Sequence, residues 1–470
     1  MRYVSTRGEA PVLSFCDALL AGLARDGGLY VPQEWPTLDA ATIGGFAGQP
    51  YARVAERVIA PFIGDEIEPA AFSRMVDAAY ASFRHPAVAP LVQIGDNLFV
   101  QELFHGPTLA FKDVAMQLLA RLMDHVLKAQ GRRATIVGAT SGDTGGAAIE
   151  AFRGLEQVDI VILYPHGRVS DVQRRQMTTV EGANVHAVAL EGTFDDCQAL
   201  VKAMFNHHAF RDSLGLSGVN SINWARIVAQ IVYYFTASVA LGGPARPVSF
   251  SVPTGNFGDI FAGYVAKRMG LPIERLHVAT NVNDILARAF ASGRYESHGV
   301  VASSSPSMDI QVSSNFERLL FEAHDRDAAA VRAMMASLAQ SKGFSIAAEP
   351  LARIRAEFDA DRCDEAETEE AIRRYHRDAS YLLDPHTAVG VVVAEKAKRD
   401  PAVPMVVLGT AHPAKFPAAV EAASGVSPAL PTHLSTLMER PERFTVLPND
   451  QATVEAFVKA RSRAASGARA

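Results

Sequence analysis

The sequence predicts an α/β fold in which two open units of parallel strands and helical crossovers face one another across a cleft, with a helical region ahead of them. Three observations predict it. From Thr135 onward, short apolar runs alternate with helical stretches, the pattern of a strand, a crossover and the next parallel strand. The alternation comes in two sets, on either side of the uncharged run 227–245. Stretches rich in glycine and hydroxyl groups follow directly on strand runs, where such sheets bind ligands.

In chain order, Ser14 caps a helix running through Ala24, with Leu19, Leu20 and Leu23 on its apolar face, and Asp26-Gly27-Gly28 ends it. Leu29-Tyr30-Val31-Pro32 is a short extended piece. Helical patterns continue to about Pro90, so residues 1–93 read as a helical N-terminal domain. After a turn at Gly106-Pro107, the apolar positions Val114, Leu118, Leu122, Val126 and Leu127 mark a buried helix that the chain enters at Lys112. The first alternating set has strands at 135–138, 158–163 and 185–190 and helices from Thr144, over 171–179 and over 195–205. It makes a small mobile α/β domain, 133–215. The second set has strands at 248–252, 277–279 and 405–408 and a helix at 259–269; with 94–132 it makes a large domain of residues 94–132 and 216–430. Glu and Arg clusters predict a solvated helical insertion at 316–380. Residues 431–470 read as a C-terminal tail, and the Ala, Ser, Gly and Arg content of 461–470 is that of a disordered end. Run 227–245 contains Gln230, Thr236, Ser238 and a Gly-Gly-Pro break, so it reads as a buried helix and not a membrane span.

Composition narrows the partners. With 49% hydrophobic and 20% charged residues and a net charge of −6, the 470-residue chain has no basic footprint for nucleic acid or an anionic membrane. Cys16, Cys197 and Cys363 are too far apart for a CxxC site and too few for a disulfide framework, so a reducing cytoplasm is expected. Met1 to Gly8 lacks the apolar core of a signal peptide. His386 and His412 are scattered, with Asp384 the nearest carboxylate, and no metal is expected.

The chemistry gathers where strands hand over to helices. Lys112 sits between apolar neighbours at a helix start; partial burial would favour its neutral amine and attack on an aldehyde, although a lone lysine usually snorkels to water. Thr140-Ser141-Gly142-Asp143-Thr144-Gly145-Gly146 brings amides and hydroxyls together after a strand, a setting for a carboxylate. Pro253-Thr254-Gly255-Asn256-Phe257-Gly258-Asp259 repeats that arrangement and suits a phosphate monoester. Asn220-Ser221-Ile222-Asn223-Trp224-Ala225-Arg226 puts a guanidinium at a helix start, where a bound anion would offset its opposition to the helix dipole. In Gly409-Thr410-Ala411-His412-Pro413-Ala414-Lys415-Phe416, Thr410 can offer a hydroxyl to a ring nitrogen and Lys415 can supply charge near a phosphate. The Ser303-Ser304-Ser305-Pro306-Ser307 loop has no assigned use.

These motifs, in this order, together with Asp26-Gly-Gly-Leu-Tyr-Val-Pro and Phe62-Ile-Gly-Asp-Glu-Ile, closely resemble the threonine synthase family, in the branch found in many bacteria and in fungi; the likeness extends to about Ala423. The resemblance implies a fold-type-II enzyme that uses pyridoxal 5'-phosphate to convert O-phospho-L-homoserine and water to L-threonine and phosphate. It implies that Lys112 bonds to the cofactor, that Gly255, Asn256, Phe257, Gly258 and Asp259 cradle the cofactor phosphate, and that Thr410 meets the pyridine nitrogen. Thr140, Ser141 and Thr144 would take the substrate carboxylate, and Asn220, Ser221 and Arg226, with Lys415, the substrate phosphate. Asp143 occupies a position that contacts the cofactor's phenolic oxygen in the wider family, where some members carry Asn; a carboxylate there would repel a phenolate. A monomer is expected, with a homodimer left open. The same lysine and phosphate sites would serve a phospho-lyase releasing 2-oxobutyrate, which only the product distinguishes. A non-catalytic sensor of phosphorylated metabolites would have no need of Lys112.

Overall fold

The computed structural model describes residues 1–465. Two sheets organise them. The larger has six strands in the order Phe358–Arg362, Ile273–Thr280, Val248–Pro253, Met405–Gly409, Leu98–Glu102 and Leu91–Gly95, all parallel to their neighbours except the last. The smaller has five parallel strands in the order Thr445–Pro448, Val185–Glu191, Val158–Pro165, Ala134–Ala139 and Leu216–Ser217. Strands such as Val158–Pro165, buried at every position, have the continuous apolar character of a sheet covered on both faces.

Trp224–Ala240 is a helix buried on nearly all sides, as its lack of charge after Arg226 requires; Asn223 caps it, its side chain accepting from the Ala225 amide. Tyr51–Ile63 and Lys112–Ala129 pack on it. The N-terminal region is helical, with helices Phe15–Ala21, Ala40–Gly44, Tyr51–Ile63 and Pro69–Tyr80, and also holds a strand pair, Tyr3–Ser5 with Tyr30–Pro32. Its first helix stops at Gly22, earlier than expected, because φ there is +65°. Among the described residues no helix is long and apolar enough to cross a membrane.

Several segments differ from their sequence-based expectation. Leu91–Gly95 joins the large sheet, so the N-terminal region gives way before residue 93. Leu216–Ser217 pairs with the small sheet and not the large domain; two residues carry no periodicity by which to read that. The expected insertion is helical over most of its length but supplies an edge strand, Phe358–Arg362. Arg318 inside it is buried: its guanidinium donates to the Tyr30 and Ile222 carbonyls and to Asn315, and lies 5.6 Å from the Trp224 ring. The expected tail adds Thr445–Pro448 to the small sheet and the helix Gln451–Arg461 to its flank, with Val454 and Val458 in its core. Residues 466–470 of the stretch expected to be disordered lie outside the described residues.

The tail also neutralises a buried charge. Asp159, in the middle strand of the small sheet and 2% exposed, receives the Arg463 amide and Nε, both at 2.7 Å. Removing the guanidinium leaves the buried carboxylate without its counter-charge and with the residue-463 amide as its remaining partner there, while the 40% exposure of Arg463 lets water screen part of the loss. Arg463→Ala should therefore destabilise the small domain by about 1–3 kcal/mol, and Asp159→Asn in the same chain should recover part of it. Thermal melting of both variants checks this; an unchanged melting temperature for Arg463→Ala would show the pair to be idle.

Candidate active site

Lys112 stands at the first position of the helix Lys112–Ala129, beyond the carboxyl end of the strand Leu98–Glu102. Local geometry delivers it there. Thr108 donates its amide and hydroxyl to Asp113, and Gly106 lies so close to Asp113 that a Cβ would sit 2.5 Å from that side chain. The next residues are stitched to the loop after Met405–Gly409: the Phe111 amide donates to the Thr410 carbonyl at 2.8 Å and the His412 amide to Leu109 at 3.0 Å. Lys112 and Thr410 thus sit on two adjoining backbones held together by these hydrogen bonds. Burial pushes the Asp113 carboxyl up to about 6.

The Lys112 side chain is buried, with Nζ 3.4 Å from both Asp143 Oδ2 and Ser307 Oγ and 5.3 Å from the Phe111 ring centroid. Burial holds its amine below the usual lysine range; Asp143 opposes that, and the positive charges of Lys415 and Arg226 reinforce it. Asp143 opens the helix Asp143–Phe152 after Gly142, at φ +147°, and its Oδ1 meets Lys415 Nζ at 3.0 Å and Gln173 Nε2 at 2.8 Å. Burial alone would raise its carboxyl, but Lys415 and Lys112, with Gln173 and His386, hold it well below the carboxylate range. Lys415 is wholly buried and spends its hydrogens on Asp143, the Thr108 carbonyl at 2.6 Å and Gln176 Oε1 at 2.8 Å. It is committed to protein oxygens, whereas a free charge beside a phosphate was expected of it.

The other expected residues surround this cluster at the strands' carboxyl ends. Thr140 turns its Oγ1 into the loop, accepting from the Gly142 and Gly145 amides at 3.0 and 2.9 Å; Ser141 is exposed and Thr144 half-buried. Gly255 to Asp259 form the turn into the helix Gly258–Arg268, with Phe257 at φ +65°. A Cβ on Gly255 would lie 3.0 Å from the Ser307 carbonyl. Asp259 is buried and its carboxyl pushed up to about 6 by that burial. Asn256 is exposed. The Thr410 Oγ1 is buried with no partner among the described residues. Arg226 is buried, donates Nη1 to the Val219 carbonyl at 3.3 Å and leaves Nε unpartnered among the described residues; burial pulls its guanidinium down to about 10. Asn220 is exposed and Ser221 half-buried ahead of it.

Several residues at the cluster were not singled out from sequence. Ser307 lies between Lys112, Asp143 and Gly255, its amide donating to His386 Nε2 at 3.2 Å while His386 Nδ1 faces Asp384 at 3.0 Å. Asn281, Asn283, Ser303 and Asp309 fasten its loop. Gln173 and Gln176 reach in from the helix Asp171–Thr178. The run of serines marked that loop, but nothing in the spacing of the two glutamines marked them.

Residues 84–408 match the family of pyridoxal-phosphate dependent enzymes, which places the chain in that class. Residues 2–80 match the threonine synthase N terminus and 387–458 the threonine synthase C-terminal region, and the chain belongs to the threonine synthase family. The threonine synthase of Pseudomonas aeruginosa is 56% identical, covering 97% of this chain and 98% of its own length; that of Saccharomyces cerevisiae is 44% identical, covering 90% of each. The crystal structure of threonine synthase with bound PLP from Brucella melitensis superposes with a TM-score of 0.97 at 65% identity, over 98% of this chain and 100% of that one. Yeast threonine synthase gives 0.93 at 40%, over 98% of both.

The depressed proton affinity of Lys112 has a direct readout. Trace acetylation of the cofactor-free protein over a pH series should show Lys112 reaching half-maximal reactivity at lower pH than the exposed Lys128 or Lys398, because its neutral form is favoured. Coincident profiles would mean that Lys112 is solvated like any surface lysine.

Proposed function

We propose that the chain converts O-phospho-L-homoserine and water to L-threonine and phosphate, with Lys112 as the base and as the residue that holds pyridoxal phosphate. The observation that carries the reading is the buried Lys112 amine, its proton affinity lowered by burial, at the carboxyl ends of the strands. Around it lie an amide-rich helix start at Gly255–Asp259 and, without a partner among the described residues, the Thr410 hydroxyl and the Arg226 Nε. These features fit the cofactor: a cradle that a Cβ would crowd, a neutral hydroxyl for a ring nitrogen, and an amine able to attack an aldehyde. When bound, pyridoxal phosphate supplies an aldehyde carbon for amines and a ring that draws electrons from the carbon beside them.

The chain's own residues do the rest. Amides of Gly255, Asn256, Phe257 and Gly258 hold the cofactor phosphate, and the buried Asp259 anchors that turn through the Ile260 amide at 2.9 Å. Thr140 accepts two amides at Oγ1 and so still has its own hydroxyl hydrogen for the substrate carboxylate, joined there by Ser141 and Thr144. Asn220, Ser221 and Arg226 take the substrate phosphate; a desolvated guanidinium with an unspent Nε gains more from a dianion than it would in water. Lys112 Nζ removes the proton from the substrate α-carbon and returns it at the end. Between those steps a β-proton leaves, phosphate departs from the γ-carbon, the γ-carbon takes up a proton to become the methyl group, and water adds its hydroxyl at the β-carbon and releases its other proton. Burial of Lys112, Asp143 and Lys415 keeps bulk water from the amine until the last addition. A monomer in the cytoplasm is the state proposed, and the buried Cys197 and Cys363 thiols, pushed up to about 12 by burial, suit a reducing compartment.

Two measurements test the reading. Incubation with O-phospho-L-homoserine should yield threonine and phosphate, and borohydride should fix pyridoxal phosphate to Lys112; 2-oxobutyrate as the main product, or the adduct on another lysine, would overturn it. Arg226→Ala should leave bound-cofactor absorbance intact yet lower kcat/KM by roughly 30-fold to several thousand-fold, the loss of one partner of a desolvated charge pair. An equal proportional loss for an unphosphorylated homoserine analogue would move the phosphate contact elsewhere.

A further inference from the structure

Lys415 is as deeply buried as any residue in the protein, and its three oxygen partners belong to three different segments. Thr108 precedes Lys112, Gln176 lies on the helix Asp171–Thr178, and Asp143 opens the helix Asp143–Phe152. Its Nζ is thereby saturated by acceptors at 2.6, 2.8 and 3.0 Å, and an ammonium has three hydrogens to give. We propose that Lys415 is a positioning residue that acts on Lys112 through Asp143, balancing that carboxylate so that Lys112 is free to give up its proton. This rests on the reading of Lys112 as the reacting amine.

The reasoning is electrostatic and geometric. Asp143 presents Oδ1 to Lys415 and Oδ2 to Lys112, so one buried carboxylate stands between two ammonium groups. A buried carboxylate must keep a counter-charge or take up a proton. With Lys415 in place the counter-charge stays when Lys112 becomes neutral. Without it, Lys112 is the only lysine left to balance Asp143 and is held in its protonated form, unable to act as base or nucleophile. The remaining charged groups around Lys112 are Arg226 and Asp259, with His386 acting on Asp143 from the Ser307 side. Among the described residues the ion-pair partners of Asp143 are Lys112 and Lys415, and neither Arg226 nor His386 stands in for Lys415.

The test is a pair of substitutions in the holoenzyme. Lys415→Met should lower kcat by about 100-fold or more, with KM for O-phospho-L-homoserine changed by less than about threefold. Adding Asp143→Asn should restore at least about tenfold of kcat, because replacing both members of a buried pair removes the unbalanced charge. In the cofactor-free proteins, trace acetylation of Lys112 should shift to higher pH in Lys415→Met and return toward the parent profile in the double variant. A rise in KM at retained kcat, or no recovery on adding Asp143→Asn, would overturn the proposal and return Lys415 to the substrate phosphate. Should Lys415→Met fail to fold, the double variant decides alone: a KM near the parent's supports the proposal, and a KM raised more than about tenfold sinks it. Failure of the wider reading looks different, since borohydride would then mark a lysine other than Lys112.

Discussion

A carboxylate buried between two lysines sets the terms for the rest of the site. Asp143 lies 3.0 Å from Lys415 and 3.4 Å from Lys112, and all three side chains are withdrawn from water. Desolvating three ions is costly, and the arrangement persists only because every remaining hydrogen-bonding position of Lys415 and the Oδ1 of Asp143 is filled. The acceptors come from the Thr108 loop and the helix Asp171–Thr178, so large and small sheets are joined beside the Lys112 amine. A cleft between two α/β units needs some such contact, or its walls would not hold a common geometry.

The glycines near the site serve the same end by letting backbone come close. Gly106 makes room for Asp113, Gly142 turns the chain at φ +147° against Gln173, and Gly255 passes under the Ser307 carbonyl. A Cβ would clash at Gly106 and Gly142 and be crowded at Gly255, and together these approaches bring the Lys112 loop, the Asp143 loop, the Gly255–Asp259 turn and the serine loop within reach of one another. The buried hydroxyl of Thr410, Nε of Arg226 and the hydroxyl of Ser304 are among the buried polar atoms left without a partner among the described residues. Most buried polar atoms are satisfied, so each is a place where a polar group can be received.

The tail follows the same electrostatic rule at a distance from the chemistry. Asp159 is the one acidic residue in a strand otherwise apolar and buried, and Arg463 answers it from the far end of the chain. The composition of residues 461–470 argues for disorder, yet one arginine facing one buried carboxylate is enough to order the first few of them.

The sequence by itself determined the alternation of strand and helix, and with it the parallel sheets, because apolar periodicity is a local property of consecutive residues. It determined which loops follow strands, and so that Thr140, Gly255 and Thr410 stand at strand ends, while Lys112 reads only as the start of a helix after a turn, without the strand Leu98–Glu102 ahead of it. It also carried the family, since motifs that must each meet one ligand recur in fixed order. What it left undecided were pairings between residues far apart in the chain. Leu216–Ser217 is too short to announce a strand, and Arg318, in a charged run, gives no sign of being buried against Trp224. Lys415, 272 positions from Asp143 and 303 from Lys112 in this numbering, reads as a free charge for a phosphate. Only the tertiary structure decides that it faces Thr108, Gln176 and Asp143, because whether a buried charge is free or spent depends on which distant oxygens the fold brings to it.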